Sequence, residues 1–177
     1  MAHKVYTKKG DDGTTSLLSG KRIHKNSFII RSVGSLDELN SFVGLLRSEM
    51  HGWAPALEKI QWDLFNAGSM LINDNETKLV EVTEEDIKIL ESSMDTMNEE
   101  LPDLKNFILP YGSKAVTISH ICRTICRRTE IEVLSIEKIL NNFDIISIYL
   151  NRLSDFFFVL ARYIGYKENT QEVIWKN

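Results

Sequence analysis

Cysteine is nearly missing from this chain, with two in 177 residues, Cys122 and Cys126. Thiols four apart on one helical face are poorly placed for a disulfide, and two make an incomplete zinc site with no histidine pair near them. They read as small packing residues. No apolar run approaches the roughly 20 residues that a membrane helix needs. The opening Met1-Ala2-His3-Lys4-Val5-Tyr6 has neither the apolar stretch of a secretory signal nor the character of an Arg-rich transit peptide, so a cytoplasmic protein is expected. Proline (three) and glycine (nine) are also scarce, and most lie up to residue 55 or within 102–112. The middle and C-terminal parts are therefore expected to be long regular elements.

The usual phosphate-binding signatures are absent too. A Walker A loop has four residues between its glycines and then Gly-Lys-Ser/Thr. Here six residues separate Gly13 from Gly20, and Lys21 is followed by Arg22. There is no strand–GxGxxG–helix pattern. Neither a Ser/His/Asp nor a Cys/His nucleophile arrangement is found, and the absence of Glu-x-x-His pairs argues against a ferritin-like diiron bundle.

What is present is concentrated in the first 31 residues. Tyr6-Thr7-Lys8-Lys9-Gly10-Asp11-Asp12-Gly13-Thr14-Thr15-Ser16 is followed by Ser19-Gly20-Lys21-Arg22, Lys25 and Arg31. Glycine lets backbone N–H groups approach a polyphosphate, Thr and Ser donate hydroxyl hydrogen bonds, and the cations offset charge. Residues 1–31 hold seven basic and two acidic side chains, a net +5. With −4 overall, the remainder carries −9. A cationic arm on an acidic body points to an anionic ligand rather than to nucleic acid.

Length and an ordinary composition, 43% hydrophobic and 26% charged, predict a single domain over 1–177. Residues 1–31 read as irregular, with a short extended piece at 27–31. Ser35-Leu36-Asp37-Glu38 fits a capping box, opening a helix through Leu39, Phe42, Val43, Leu46 and Met50 that stops near Gly52. Pro55 starts a second helix with the stripe Leu57, Ile60, Leu64, Ala67 and Leu71. The polar stretch 73–82 reads as a loop. Thr83-Glu84-Glu85-Asp86 begins a third helix, carried by Ile87, Leu90, Met94 and Met97 to about Glu100. After the break from Pro102 to Gly112, a long helix is expected from Ser113 to Leu140, then one capped by Asp144 and running to Tyr166, with Val173-Ile174-Trp175 docked on the body. The fold class is all-α: a five-helix up-and-down bundle with an irregular N-terminal loop that binds the anion.

Polar stripes interrupt three of these helices. Arg123, Arg127 and Glu130, with Arg128 beside them, fall at helical spacings, as do Asn151, Asp155 and Arg162, and Asp37 and Asn40 lie on the first helix. Arginines on rigid helices suit bidentate contact with phosphate or a buried carboxylate.

Taken together, these segments resemble the PduO type of ATP:cob(I)alamin adenosyltransferase. Tyr6–Thr15 is similar to that family's Tyr-Thr-Lys-x-Gly-Asp-x-Gly-x-Thr opening, and Asp37–Asn40 to its Asp-Glu-Leu-Asn helix start. Phe107–Pro110 corresponds to its Phe-Ile-Leu-Pro loop, Arg123–Glu130 to its Arg-Thr-Ile-x-Arg-Arg-x-Glu helix, and Asn151–Phe157 to its Asn-Arg-Leu-Ser-Asp segment with aromatics. The motifs follow the family's order and span nearly the whole chain. Two departures are Tyr111 after the loop proline, where Gly or Ser is frequent, and Ile131 after the glutamate, where another Arg is frequent.

The resemblance implies a homotrimer with active sites between subunits, a possession of the assembly rather than of one chain. ATP, with Mg²⁺, would be cradled by Thr7, Lys8, Gly10, Gly13, Thr14, Thr15, Lys21 and Lys25 of one subunit. Arg127, Glu130 and Asn151 of the neighbour would share that site, and Asp37 would pair with Arg123 across the boundary. Phe107 would sit on the lower face of the corrin and exclude its axial base, easing reduction to Co(I). Arg127, Asp37, Arg123 and Phe107 would serve the transfer of the 5′-deoxyadenosyl group from ATP to cob(I)alamin, giving adenosylcobalamin and triphosphate. A reductase and an adenosylcobalamin-dependent enzyme are the implied partners. The competing reading is a non-catalytic bundle that binds nucleotide as a sensor, in which Phe107 would be idle.

Overall fold

The computed structural model describes residues 6–74, 78–136 and 143–176. Five helices form it: α1 (Phe28–Glu49), α2 (Ala54–Leu71), α3 (Glu84–Asn98), α4 (Lys114–Leu134) and α5 (Phe143–Lys167). A small antiparallel hairpin precedes them, β1 (Thr14–Ser16) and β2 (Arg22–His24), with Thr15 opposite Ile23. No described helix is long and apolar enough to cross a membrane.

The cross-links give each helix its direction. Lys114 binds Glu49 at one end of the α1–α4 pair (2.7 Å) and Arg128 binds Glu38 at the other, so these helices are antiparallel. Arg47–Glu58 and the Asn40–Gln61 exchange make α1 and α2 antiparallel. Arg152–Glu91 and Lys167–Glu100 make α3 parallel to α5. Glu130–Asn151 and His120–Phe158 make α4 and α5 antiparallel, so the chain alternates direction at every step, while α3 packs chiefly on α5 rather than on its successor α4. The intervening segment crosses the end of the bundle and carries Phe107.

Apolar stripes from all five helices meet in one core. Leu39, Val43, Leu46, Leu57, Ala67, Leu150, Leu153, Phe157 and Leu160 are fully enclosed. Each large aliphatic or aromatic side chain so enclosed stabilises the fold by about 1.5–3 kcal/mol. Cys122 and Cys126 are free, buried packing residues, and burial pushes the Cys122 thiol up to about 12, leaving it inert. Trp53, in the short 3₁₀ turn between α1 and α2, packs edge-on against Phe156 and Tyr163.

Four expectations about element boundaries need correction. The N-terminal segment is not wholly irregular, because β1 and β2 pair. The segment 27–31 is not extended: Ser27 caps α1, its Oγ accepting from Ile30 N at 3.4 Å, so the helix begins two turns before Ser35. Ser35 is a buried residue inside α1 whose hydroxyl donates to the Glu132 carboxylate of α4. Ser32, one turn earlier, is fully buried as well. Helix α4 stops at Leu134, where the Ser135 N–H folds back onto Ile131 O at 3.1 Å; the part of the expected helix over 137–140 lies outside the described residues. Asp144 sits within the first turn of α5, favoured there by the helix dipole, rather than at its cap. The third helix follows expectation: Thr83 and Asp86 form a capping box. The loop expected over 73–82 is free of helix and strand where described, and its residues 75–77 lie outside the described ones.

Candidate active site

The hairpin is held in shape by its own short polar side chains. Asp12 Oδ1 accepts from Thr14 N (2.9 Å) and Thr14 Oγ1 (2.7 Å), a turn typical of Asp. Arg22 reaches across from β2 and donates to Lys9 O (2.6 Å), Asp12 Oδ1 (3.1 Å) and the Thr14 hydroxyl. Those hydrogen bonds hold the exposed Asp12 carboxyl below the usual carboxylate range, the Thr14 hydroxyl contributing most. Lys25 Nζ donates to Gly10 O at 2.8 Å, and a Cβ on Gly10 would lie 2.9 Å from that ammonium. Gly13 has φ +80°, a backbone conformation that favours glycine, so this turn tolerates substitution poorly. Leu17 is buried, and Ser19 binds Asp74 through both its N–H (3.1 Å) and its hydroxyl (2.7 Å), fastening the hairpin to the end of α2. Thr7, Lys8, Gly10, Gly13, Thr14, Thr15, Lys21 and Lys25 thus lie on one ordered cationic loop. Lys8, Lys9 and Lys21 make no salt bridge among the described residues.

A second surface lies on α4. A groove of about 480 Å³ has apolar walls from Leu104, Phe107, Pro110 and Phe158 and polar ones from His120, Arg123, Arg127 and Ser154. Arg123 and Arg127, one turn apart, have no carboxylate partner among the described residues, and Arg123 Nε is buried without any hydrogen-bond partner. Burial, then the Arg127 charge beside it, lowers the Arg123 pKa. Two adjacent guanidiniums left unneutralised in a half-apolar groove are a receptor for negative charge. Glu130, one turn further along, accepts from Asn151 Nδ2 at 3.2 Å.

Phe107 is 79% exposed, yet its backbone is fixed. Its carbonyl accepts from Trp175 N and Leu109 N donates to Val173 O, each at 2.8 Å, and Ile108 bridges Ile174. The Trp175 ring stands edge-on to the Phe107 ring at 6.2 Å. The C-terminal tail is therefore docked, as expected, and against this very loop. Arg162 is the clamp, buried and donating to Glu172 Oε1 (2.6 Å) and Pro102 O (2.9 Å).

The structure thus brings Phe107, Arg123 and Arg127 to one groove and Glu130 to Asn151. It does not bring the hairpin to that groove: no described hydrogen bond, ion pair or groove wall joins residues 7–25 to Arg123 or Arg127. Nor does Asp37 reach Arg123 within the chain. Asp37 is exposed on α1, while its neighbour Glu38 takes Arg128. Sequence reasoning missed the parts played by Arg22, Asp12, Asp74 and His120. The Asp-x-Thr spacing at 12–14 carried the signal for that turn, whereas nothing local marked His120.

Known proteins share this chain's sequence and fold over most of its length. The chain is 42% identical to a corrinoid adenosyltransferase of Bacillus subtilis over 96% of its own length and 91% of that protein's. It is 37% identical to the human corrinoid adenosyltransferase MMAB, over 97% of this chain and 73% of that one. A Lactobacillus reuteri PduO-type ATP:corrinoid adenosyltransferase, solved as a phenylalanine-to-histidine variant with cobalamin and ATP, superposes with a TM-score of 0.91 at 33% identity, covering 98% of this chain and 97% of that one. The family profile for cobalamin adenosyltransferase matches residues 5–164, and the chain belongs to that family.

Proposed function

We propose that the protein transfers the 5′-deoxyadenosyl group of ATP to cob(I)alamin. Cobalt attacks the 5′ carbon, a Co–C bond forms, the C5′–O bond breaks, and triphosphate departs with the bonding pair. The nucleophile is the corrinoid substrate, so the protein has to align two reactants and stabilise a growing negative charge. The observation that carries this reading is the groove that sets two unneutralised arginines, Arg123 and Arg127, beside the exposed Phe107 ring. A nucleotide sensor would use the cations alone and has no need of an aromatic ring presented beside them.

In this reading Arg127 meets the triphosphate oxygens, and Glu130 with Asn151 shapes the nucleotide site. The hairpin residues Thr7, Lys8, Gly10, Gly13, Thr14, Thr15, Lys21 and Lys25 wrap the phosphates of ATP bound at a neighbouring subunit. Mg²⁺ arrives with ATP, since it binds phosphate oxygens and water readily. Phe107 covers the lower corrin face, excludes the axial base and thereby eases reduction of Co(II).

A homotrimer follows from the same reading. The exposed stripe of α4 places Arg127, Ile131 and Leu134 together, the latter two 65% and 62% exposed, and Asp37 stands outward on α1. Apposing that face to a neighbour's hairpin would bury the apolar residues, pair Asp37 with Arg123 and complete the cationic site. Tyr111, 64% exposed, and Ile131 stand where the family often has Gly or Ser and Arg, so this interface would be more apolar there. A cytoplasmic setting, with a reductase and an adenosylcobalamin-dependent enzyme as partners, belongs to the same proposal, and two free buried thiols are in keeping with it.

The test is product formation from ATP and chemically reduced cobalamin, followed by the visible spectrum with triphosphate quantified. Stoichiometric adenosylcobalamin and triphosphate are expected; nucleotide binding without turnover would establish the sensor instead.

A further inference from the structure

His120 is an unassigned residue of the same groove. Its ring is buried and stands edge-on to Phe158 at 6.2 Å, so its plane is set by packing. Nδ1 is sealed from solvent and has no hydrogen-bond partner, whereas Nε2 is not among the sealed atoms. One turn along α4, Arg123 Nε is likewise sealed and unpartnered. Buried polar atoms without partners are rare, and two of them three residues apart on one groove wall call for a common explanation. One is an obligate donor, because a guanidinium N–H cannot accept. The other is an acceptor if the imidazole proton sits on Nε2, the nitrogen with access to water. Burial, with Arg123 adding to it, lowers the His120 pKa to about 4, in keeping with a neutral ring.

We propose that His120 is a positioning residue for Arg123: its Nδ1 accepts the Arg123 Nε–H and so aims the two outer guanidinium nitrogens into the groove. The ring, held by Phe158, is the fixed member, and the arginine, with its several side-chain torsions, is the one that turns. Satisfying Nε from behind leaves the terminal nitrogens in fork geometry for a carboxylate or an anionic substrate. The inference rests on the reading of Arg123 as a site residue.

Two measurements on the intact protein decide it. Nitrogen-15 NMR of the histidine rings reports the tautomer directly and needs no turnover. The expected result is an Nε2–H tautomer for His120 with a hydrogen-bonded Nδ1 whose shift changes in Arg123→Lys. An Nδ1–H tautomer, or a shift indifferent to Arg123, would overturn the proposal. The second is a substitution pair. An Asn amide reaches roughly the place of Nδ1, whereas a Gln amide reaches that of Nε2. His120→Asn should keep kcat within about threefold, while His120→Gln and His120→Leu should lose tenfold or more with little change in KM for ATP. In the Arg123→Lys background the three should become alike. Equal losses for Asn and Gln, or losses that simply add to that of Arg123→Lys, would mean that the ring only fills space. If the wild-type protein fails to form adenosylcobalamin, the functional reading falls, and the tautomer measurement still judges the His120–Arg123 contact.

Discussion

In the proposed reaction Arg127 and Phe107 divide the chemistry between charge and shape. Arg127 faces the groove without a carboxylate partner, so its full charge is available to a leaving group. Replacing it with alanine should lower kcat by about 100-fold or more, the usual cost of removing one preorganised charge-stabilising group. Sedimentation should show an unchanged assembly, and near-normal turnover would contradict the role. Phe107→Ala should behave differently. Activity should collapse when Co(II) must be reduced on the enzyme and persist when Co(I) is supplied, which parallel assays with and without pre-reduction will read. Equal loss in both would indicate damage to the loop. Both residues were legible in the sequence, through the Arg-rich helix and the Phe-Ile-Leu-Pro segment. His120 was not, because a lone histidine in a helix looks the same whether it fills the core or braces a neighbour.

Helix junctions show where local pattern misleads. Ser35 and Glu38 have the spacing of a capping box, yet Ser27 is the cap, because Ile29, Val33 and Leu36 continue an apolar face upstream that packs on the body. Ser27→Ala should cost about 1 kcal/mol in denaturant unfolding, and Ser35→Ala should act instead through lost α1–α4 contact. A second device joins three helices. Lys59 of α2 binds Asp63 (2.6 Å) and Asp86 of α3 (2.5 Å), and the buried Tyr149 hydroxyl of α5 donates to Asp63 Oδ2 (3.2 Å). Burial raises the Asp63 pKa despite the lysine. Tyr149→Phe removes one partner and leaves a buried carboxylate oxygen short of a donor, so a loss of about 1–3 kcal/mol is expected with little effect on turnover. No period or motif announced this network, because its members come from helices that meet only on folding.

Acid sensitivity belongs to the whole molecule, and His120 contributes to it with a definite sign. Its pKa is near 6.5 in an unfolded chain and about 4 here, because burial and Arg123 disfavour the imidazolium. The folded state therefore binds fewer protons between these values. Stability from this residue is complete above about pH 6.5 and is lost as pH falls toward 4, with a slope approaching 1.4 kcal/mol per pH unit. His120→Asn should flatten that part of the stability–pH curve, measured by urea unfolding against wild type. The proposed sharing of each site between two subunits gives a test of assembly. Lys25→Ala and Arg127→Ala are each expected to be inactive. Unfolded and refolded together in equal amounts, they should recover about one quarter of wild-type turnover, because one site in four draws an intact hairpin and an intact arginine helix from different subunits. No recovery would place both surfaces on the same chain.

The linear order of residues was enough to determine an all-helical bundle, four of its five apolar stripes, the cationic, Gly- and Thr-rich composition of the N-terminal segment and the two arginines one turn apart. Those are properties of period and spacing, written within a few turns of chain. Tertiary structure alone decided that α3 lies along α5, that the C-terminal tail pins the loop bearing Phe107, and that the hairpin and the arginine groove stand apart within one chain. Such juxtapositions depend on which faces bury best against one another, and that is a sum over the whole fold to which no local segment holds the answer.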